Sequence, residues 1–158
     1  MGDVCNDERH RSWALLLKAQ ARVVEVLDHE LQTEKNLPLT WFDVLVQLAS
    51  NEEGRLPMHE LADRVLLSKS GVTRLVDRME RAGLLERAPC PTDRRVIYAT
   101  ITDKGRDVFG DASPVAYRGV REHFTELLTA SEKEAFESGL TKIIEAQTPL
   151  PARERAAG

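Results

Sequence analysis

Apolar residues recur at helical spacing along most of the chain, with one interruption of β character. Between residues 9 and 34, Trp13, Leu16, Leu17, Val24, Leu27 and Leu31 are spaced by threes, fours and one seven, the stripe of a long helix. At about 25 residues it is long for a small domain, which points to a partner chain. Pro38 stops it. Thr40 with Asp43 resembles a capping box and opens a helix to about residue 50, with Trp41, Val44, Leu45 and Leu48 inward. Residues 51–54 (NEEG) form a turn, Pro57 stands at a first-turn position, and 58–65 is a short helix. Ser68 is the N-cap candidate for the next helix. There Val72, Leu75, Val76 and Met79 fall at i, i+3, i+4 and i+7, and Gly83 stands where a left-handed C-terminal residue is wanted, followed by Leu84.

The β interruption follows at once. Residues 84–88 (LLERA) and 96–101 (VIYATI) read as two short strands. The connection APCPTDRR has two prolines and ends in charge, so it is a loop. Thr102 caps a helix that runs to about residue 129 and contains Gly110, Pro114 and Gly119, with a kink expected near Gly110. Ser131 with Glu134 reads as a capping box for a last helix, whose stripe is Phe136, Leu140, Ile143 and Ile144 and which ends near Thr148.

The polar face of the helix after Ser68 carries Ser70, Thr73, Arg74, Asp77, Arg78 and Arg81, with Lys69 beside it. Such a face suits a recognition helix, whose first two turns enter the major groove. Arg74 and Arg78 can reach guanine edges or phosphates, and Ser70 and Thr73 can serve either. An ordinary amphipathic helix with a solvated face looks the same in isolation. The hairpin behind it changes the balance, because a hairpin directly after a recognition-type helix is a wing. Arg94 and Arg95 at its tip suit a minor groove, and Asp93 can brace one of them.

Net charge is −4 and the isoelectric point about 5.6, which argues mildly against indiscriminate nucleic-acid binding. The distribution decides otherwise. Residues 61–95 hold eight Lys/Arg against five Asp/Glu, and the remainder holds 14 against 21. Positive charge is concentrated on the proposed reading surface of an acidic scaffold.

At this point the residues meet a family. Leu61-Ala62, the run Ser68-Lys69-Ser70-Gly71-Val72-Thr73-Arg74-Leu75-Val76-Asp77-Arg78, Gly83-Leu84, Asp93-Arg94-Arg95 and Ile101-Thr102-Asp103-Lys104-Gly105 together resemble the MarR family of bacterial transcriptional regulators. Asp93 and Arg95 carry the family's D-x-R, and residues 101–105 its L-T-x-x-G with Ile for Leu. The resemblance spans roughly residues 9 to 147. It implies a mainly α fold with a small β-hairpin wing, a winged helix-turn-helix in an intertwined helical dimer. It also implies a small aromatic or phenolic anionic effector in a crevice between dimerisation helices and winged helix. Trp13 and Leu17 with Trp41, Phe42 and Leu45 are the candidate lining, although core packing explains each singly.

The reading divides the chain into a helical dimerisation region, 1–35 and 102–158, and a winged helix-turn-helix DNA-binding domain, 36–101. Neither end is apolar enough on two sides to be a core alone, so the end helices of two chains should interlock. A two-fold homodimer then presents two recognition helices about one turn of double-stranded DNA apart and reads an inverted-repeat operator. The DNA-binding residues are Ser68, Lys69, Ser70, Thr73, Arg74, Arg78, Asp93, Arg94 and Arg95. The expected function is sequence-specific transcription regulation, as a ligand- or stress-responsive repressor. The alternative is a winged-helix protein–protein module docking an acidic partner.

Enzymatic and metal chemistry find no footing. His10, His29, His59 and His123 form no H-x-x-x-H pair, there is no Gly-rich phosphate loop or G-x-S-x-G, and no cofactor is implied. Cys5 and Cys90 are too few and too far apart for a structural zinc. Cys90, near Arg87 and Arg94 on the wing, is a redox candidate or an incidental exposed cysteine. No stretch is long and apolar enough to span a membrane and the start has no signal-peptide core, so a cytoplasmic location is expected.

Overall fold

The computed structural model describes residues 8–65 and 69–147. The elements are α1 (Glu8–Lys35), α2 (Leu39–Ala49), β1 (Arg55–Pro57), α3 (Met58–Arg64), α4 (Lys69–Arg81), β2 (Leu85–Pro89), β3 (Ile97–Ile101), α5 (Asp103–His123), a 3-10 turn (Thr125–Leu127) and α6 (Ala130–Glu145). The fold is mostly helical with a small three-stranded antiparallel sheet in the order β1-β3-β2.

The sheet corrects the expected two-stranded hairpin. Residues 55–57 form an edge strand, Arg55 opposite Thr100 and Pro57 opposite Tyr98. Three residues ending in proline carry too little pattern to announce a strand. Pro57 is tolerated because β1 is an edge and α3 begins at the next residue. Gly54 enters the strand at φ 66°, and Ile101 N–H donates to its carbonyl at 2.9 Å.

Two caps lie elsewhere than expected. Thr40 and Asp43 do not cap α2. Pro38 is its N-cap residue, and Asp28 on α1 accepts from Leu39 N–H at 2.8 Å. An acceptor from the preceding helix does the work of a local one, fixing the angle between α1 and α2. The last capping box is Thr129 with Glu132, two residues before the expected Ser131 with Glu134, and both of its reciprocal bonds are formed. Thr102 does cap α5, accepting from Gly105 N–H at 3.0 Å. Helix α5 stays one helix through Pro114 and stops at His123, short of the expected residue 129, where the 3-10 turn takes over. The Ser68 cap lies outside the described residues.

One core joins the winged part to α5. Leu31, Leu45, Leu48, Leu61, Val72 and Met79 are among its fully enclosed side chains. Phe42 stacks on Phe109 at 5.7 Å between ring centroids. Gly119 lets α5 approach α1 closely, since a Cβ there would meet Leu27 Cδ2 at 2.6 Å. The two ends of the chain are different. On α1, Leu27 and Leu31 are buried, whereas Trp13, Leu15, Leu17 and Val24 are exposed. Helix α6 buries no residue at all and leaves Ile143 and Ile144 in water.

Candidate nucleic-acid interface

Helix α4 presents its two faces as the pattern requires. Val72, Leu75, Val76 and Met79 are buried. Thr73, Arg74, Arg78 and Arg81 are exposed on the opposite side. Lys69 and Ser70 form the first turn of α4, immediately N-terminal to that face. Arg74, Arg78 and Arg81 take part in no ion pair among the described residues, so their charge is available to a polyanion.

The C-terminal end of α4 is fixed by a dense set of bonds. Gly83, at φ 75°, donates to Glu80 O at 2.9 Å, and Leu84 N–H donates to Met79 O at 3.0 Å, a Schellman arrangement. The next carbonyls are taken by the start of α5. Lys104 Nζ donates to Ala82 O and Thr102 Oγ1 to Gly83 O, each at 2.7 Å. Thr102 N–H donates to Leu84 O at 3.1 Å. Gly105 lies against that same carbonyl, so closely that a Cβ would overlap its oxygen. Helix α4 is thus fastened to the first turn of α5.

The wing loop closes through Cys90 N–H to Val96 O at 2.8 Å and Val96 N–H to Asp93 O at 2.9 Å. Asp93 braces Arg95, as expected. Arg95 Nε donates to Oδ1 at 3.0 Å and Nη2 to Oδ2 at 3.1 Å. The guanidinium holds the Asp93 carboxyl below its ordinary range, and Asp93 is aided by Arg95 N–H. Arg95 is still 91% exposed and Arg94 is exposed without an ion pair, so both remain open to a partner.

Cys90 is the free cysteine of the described residues. Its thiol is pushed down from the ordinary value, but not by Arg87 and Arg94 as the sequence suggested. The first cause is the Thr92 hydroxyl, 3.2 Å from Sγ, followed by the Thr92 and Asp93 backbone N–H groups. Arg87 is engaged elsewhere: Nη1 meets Asp77 Oδ1 at 2.7 Å and Nη2 meets Glu80 Oε2 at 2.6 Å. Spacing alone puts Asp77 on the polar face of α4 and does not reveal this pairing. Its signal is faint, an arginine seven and ten residues after two carboxylates and across a helix-to-strand turn.

The five candidate effector residues are not brought together. Phe42 is 4% exposed and Leu45 0%, so both are core. Trp41 packs half-buried against the same core. Trp13 is 61% exposed and sits in an apolar groove of about 300 Å³ with Leu16, Phe136, Leu140 and Ile143. The groove contains no α2 residue. The cause is helix length: α2 starts beside Asp28, about 20 Å along α1 from Trp13 at 1.5 Å per residue. Among the described residues no group of three or more His, Cys, Asp or Glu is placed to hold a metal, and no helix is long and apolar enough to cross a membrane. Cys5 lies outside the described residues.

The geometry can now be set beside known proteins. The family model described as "MarR family" matches residues 35–96. The regulator MhqR of Bacillus subtilis is 40% identical over 62 residues, 39% of this chain and 43% of that protein. An HTH-type transcriptional regulator of the same organism, YkoM, is 30% identical over 125 residues, 77% of this chain and 80% of that one. Among solved structures, the MarR family regulator Sco3205 of Streptomyces coelicolor, crystallised in complex with DNA, superposes with a TM-score of 0.84. It is 28% identical, over 91% of each chain. These relatives are transcriptional regulators and not enzymes, and with the helix-turn-helix and wing in the same order, the chain belongs to the MarR family.

Proposed function

We propose that the protein is a homodimeric, sequence-specific repressor that reads an inverted-repeat operator. Lys69, Ser70, Thr73, Arg74 and Arg78, with Ser68 ahead of them, meet the major groove. Arg94 and Arg95, with Asp93 as brace, meet the minor groove. The observation that carries this reading is the concentration of exposed arginines on α4 and the wing of an acidic chain, of which Arg74, Arg78, Arg81 and Arg94 take part in no ion pair among the described residues and Arg95 only in an exposed one. An arginine held ready by a carboxylate yet facing water suits a phosphate or base edge better than a role in stability.

Dimerisation follows from the apolar surface left at both chain ends. Helix α6 has no fully buried residue within its own chain, its Ile143 lines the groove at Trp13, and Ile144 next to it is exposed. A second copy that covers α1 and α6 removes that surface from water. Residues 1–35 and 102–158 are then the dimerisation region and 36–101 the DNA-binding domain, working in the cytoplasm on double-stranded DNA. A small aromatic or phenolic anion that favours one dimer geometry would shift the spacing of the two α4 helices and release the operator. Of the residues first considered for it, Trp13 and Leu17 have free surface.

The test is selection of bound duplexes from a random DNA pool at moderate salt. Recovery of an inverted repeat with half-sites about 10 base pairs apart, bound with a steep salt dependence, is the expected result. Recovery of nothing above background from reduced protein would reject the reading and favour a protein partner for the basic face.

A further inference from the structure

Arg87 stands on β2, one of the two edge strands of the sheet, facing the C-terminal half of α4. All three guanidinium nitrogens are engaged. Nε and Nη2 donate to Glu80 Oε2 at 3.0 and 2.6 Å, and Nη1 meets Asp77 Oδ1 at 2.7 Å. The backbone joins in, for Arg87 N–H donates to Glu80 Oε1 at 3.0 Å. One carboxylate therefore satisfies both an edge-strand N–H and the side chain of the same residue. The three side chains are each about one-third exposed, at the seam between reading helix and wing.

We infer that Arg87 is a positioning residue for DNA reading, which fixes α4 relative to the wing and offsets the charge of the two carboxylates on the flank of α4. This rests on the proposed DNA-binding function. Without Arg87 the polar side of α4 would set Asp77 and Glu80 against Arg74, Arg78 and Arg81, and two unpaired negative charges would face an approaching phosphate backbone. With Arg87 in place one positive charge is shared between the two carboxylates, the trio carries a net −1 instead of −2, and the three arginines keep their charge. The same contacts tie a helix to a strand over planar, multidentate bonds, which a lysine cannot reproduce. A major-groove helix and a minor-groove wing must contact one duplex together, so their relative placement sets the fit. Arg87 holds that placement without itself touching DNA, because its nitrogens already face protein acceptors.

The experiment is a double-mutant cycle on the duplex recovered by selection, read as affinity by fluorescence anisotropy. Wild-type protein that retains no DNA ends the proposed function before any variant is measured, and this inference with it. Given a binding wild type, Arg87→Met should weaken binding about tenfold, the size of coupling within one ion-pair network. In the Asp77→Asn/Glu80→Gln background the same change should cost less than about twofold. Arg87→Lys should fall between wild type and Arg87→Met, and it serves as the cycle's arm if Arg87→Met does not fold. An equal loss in both backgrounds, with the salt slope reduced by about one, would identify Arg87 as a phosphate contact and overturn the inference. So would unchanged affinity in either variant.

Discussion

At the wing tip, Arg95 keeps its guanidinium on Asp93 through two N–H···O bonds while most of its surface faces water. It contributes little to holding the fold, since an exposed pair of this kind is screened by solvent. Arg95→Ala is therefore expected to weaken operator binding by about 1–3 kcal/mol while the thermal midpoint stays within error. Unchanged affinity would remove the wing from the mechanism. Glu80 gives a second prediction at this scale. The Arg87 guanidinium, ahead of the Arg87 N–H, holds its carboxyl below the ordinary 4.5. A carboxyl lowered on folding stabilises above its unfolded value and loses that contribution as pH falls through the folded value. Wild type should therefore exceed Glu80→Gln in thermal midpoint at neutral pH, with the gap closing below about pH 4.5. A gap that widens in acid would contradict the pairing.

Among elements, the junction of α4 with α5 is the tightest point of the winged part. Ala82, Gly83 and Leu84 present consecutive carbonyls, and Lys104 and Thr102 occupy all three. Gly105 completes the fit by lacking a side chain where the Leu84 carbonyl lies. Gly105→Ala must push backbone against backbone, so a loss of about 1–3 kcal/mol in chemical unfolding is expected. A stability equal to wild type would mean the junction is loose. Much of this was legible in the sequence: Gly83 as the left-handed terminus and Thr102 as the next cap follow from local chemistry alone. The clasp between them was not, because Lys104 reaches back 22 residues and no spacing rule announces it. The misplaced caps have the same cause. Asp28 caps α2 from another helix, and of two Ser/Thr–Glu pairs with the same three-residue spacing the fold uses Thr129 with Glu132.

On the scale of the whole molecule, the chain exposes apolar surface where its ends diverge from the core. Phe124 and Phe136 meet edge to face at 5.7 Å, yet α6 beyond them carries Ile144 at 70% exposure. Such a surface is costly in water and is expected to be covered by a second copy. Ile143→Glu with Ile144→Glu should convert a dimer into a monomer in sedimentation and abolish high-affinity binding to a two-half-site duplex. A single half-site should bind variant and wild type with similar, weak affinity. Sedimentation of wild type as a monomer at working concentration would refute the dimer.

The sequence by itself determined the order and kind of the helices, the amphipathic α4 with its basic face, the wing and the family, because each is written in local periodicity, capping chemistry and turn residues. Tertiary structure alone decided four things. It added β1, whose three residues become a strand only when β3 lies beside them. It paired Asp77, assigned by spacing to the polar face of α4, with Arg87, and Glu80 with the same guanidinium. It set the Cys90 thiol against Thr92 and not against an arginine. It also split the supposed effector residues, burying Phe42 and Leu45 and leaving Trp13 on the distant end of α1. The physical reason is common to all four. Spacing along one element fixes which residues share a face, whereas which face meets which depends on how elements pack, and on charges and backbone groups brought together from far apart in the chain.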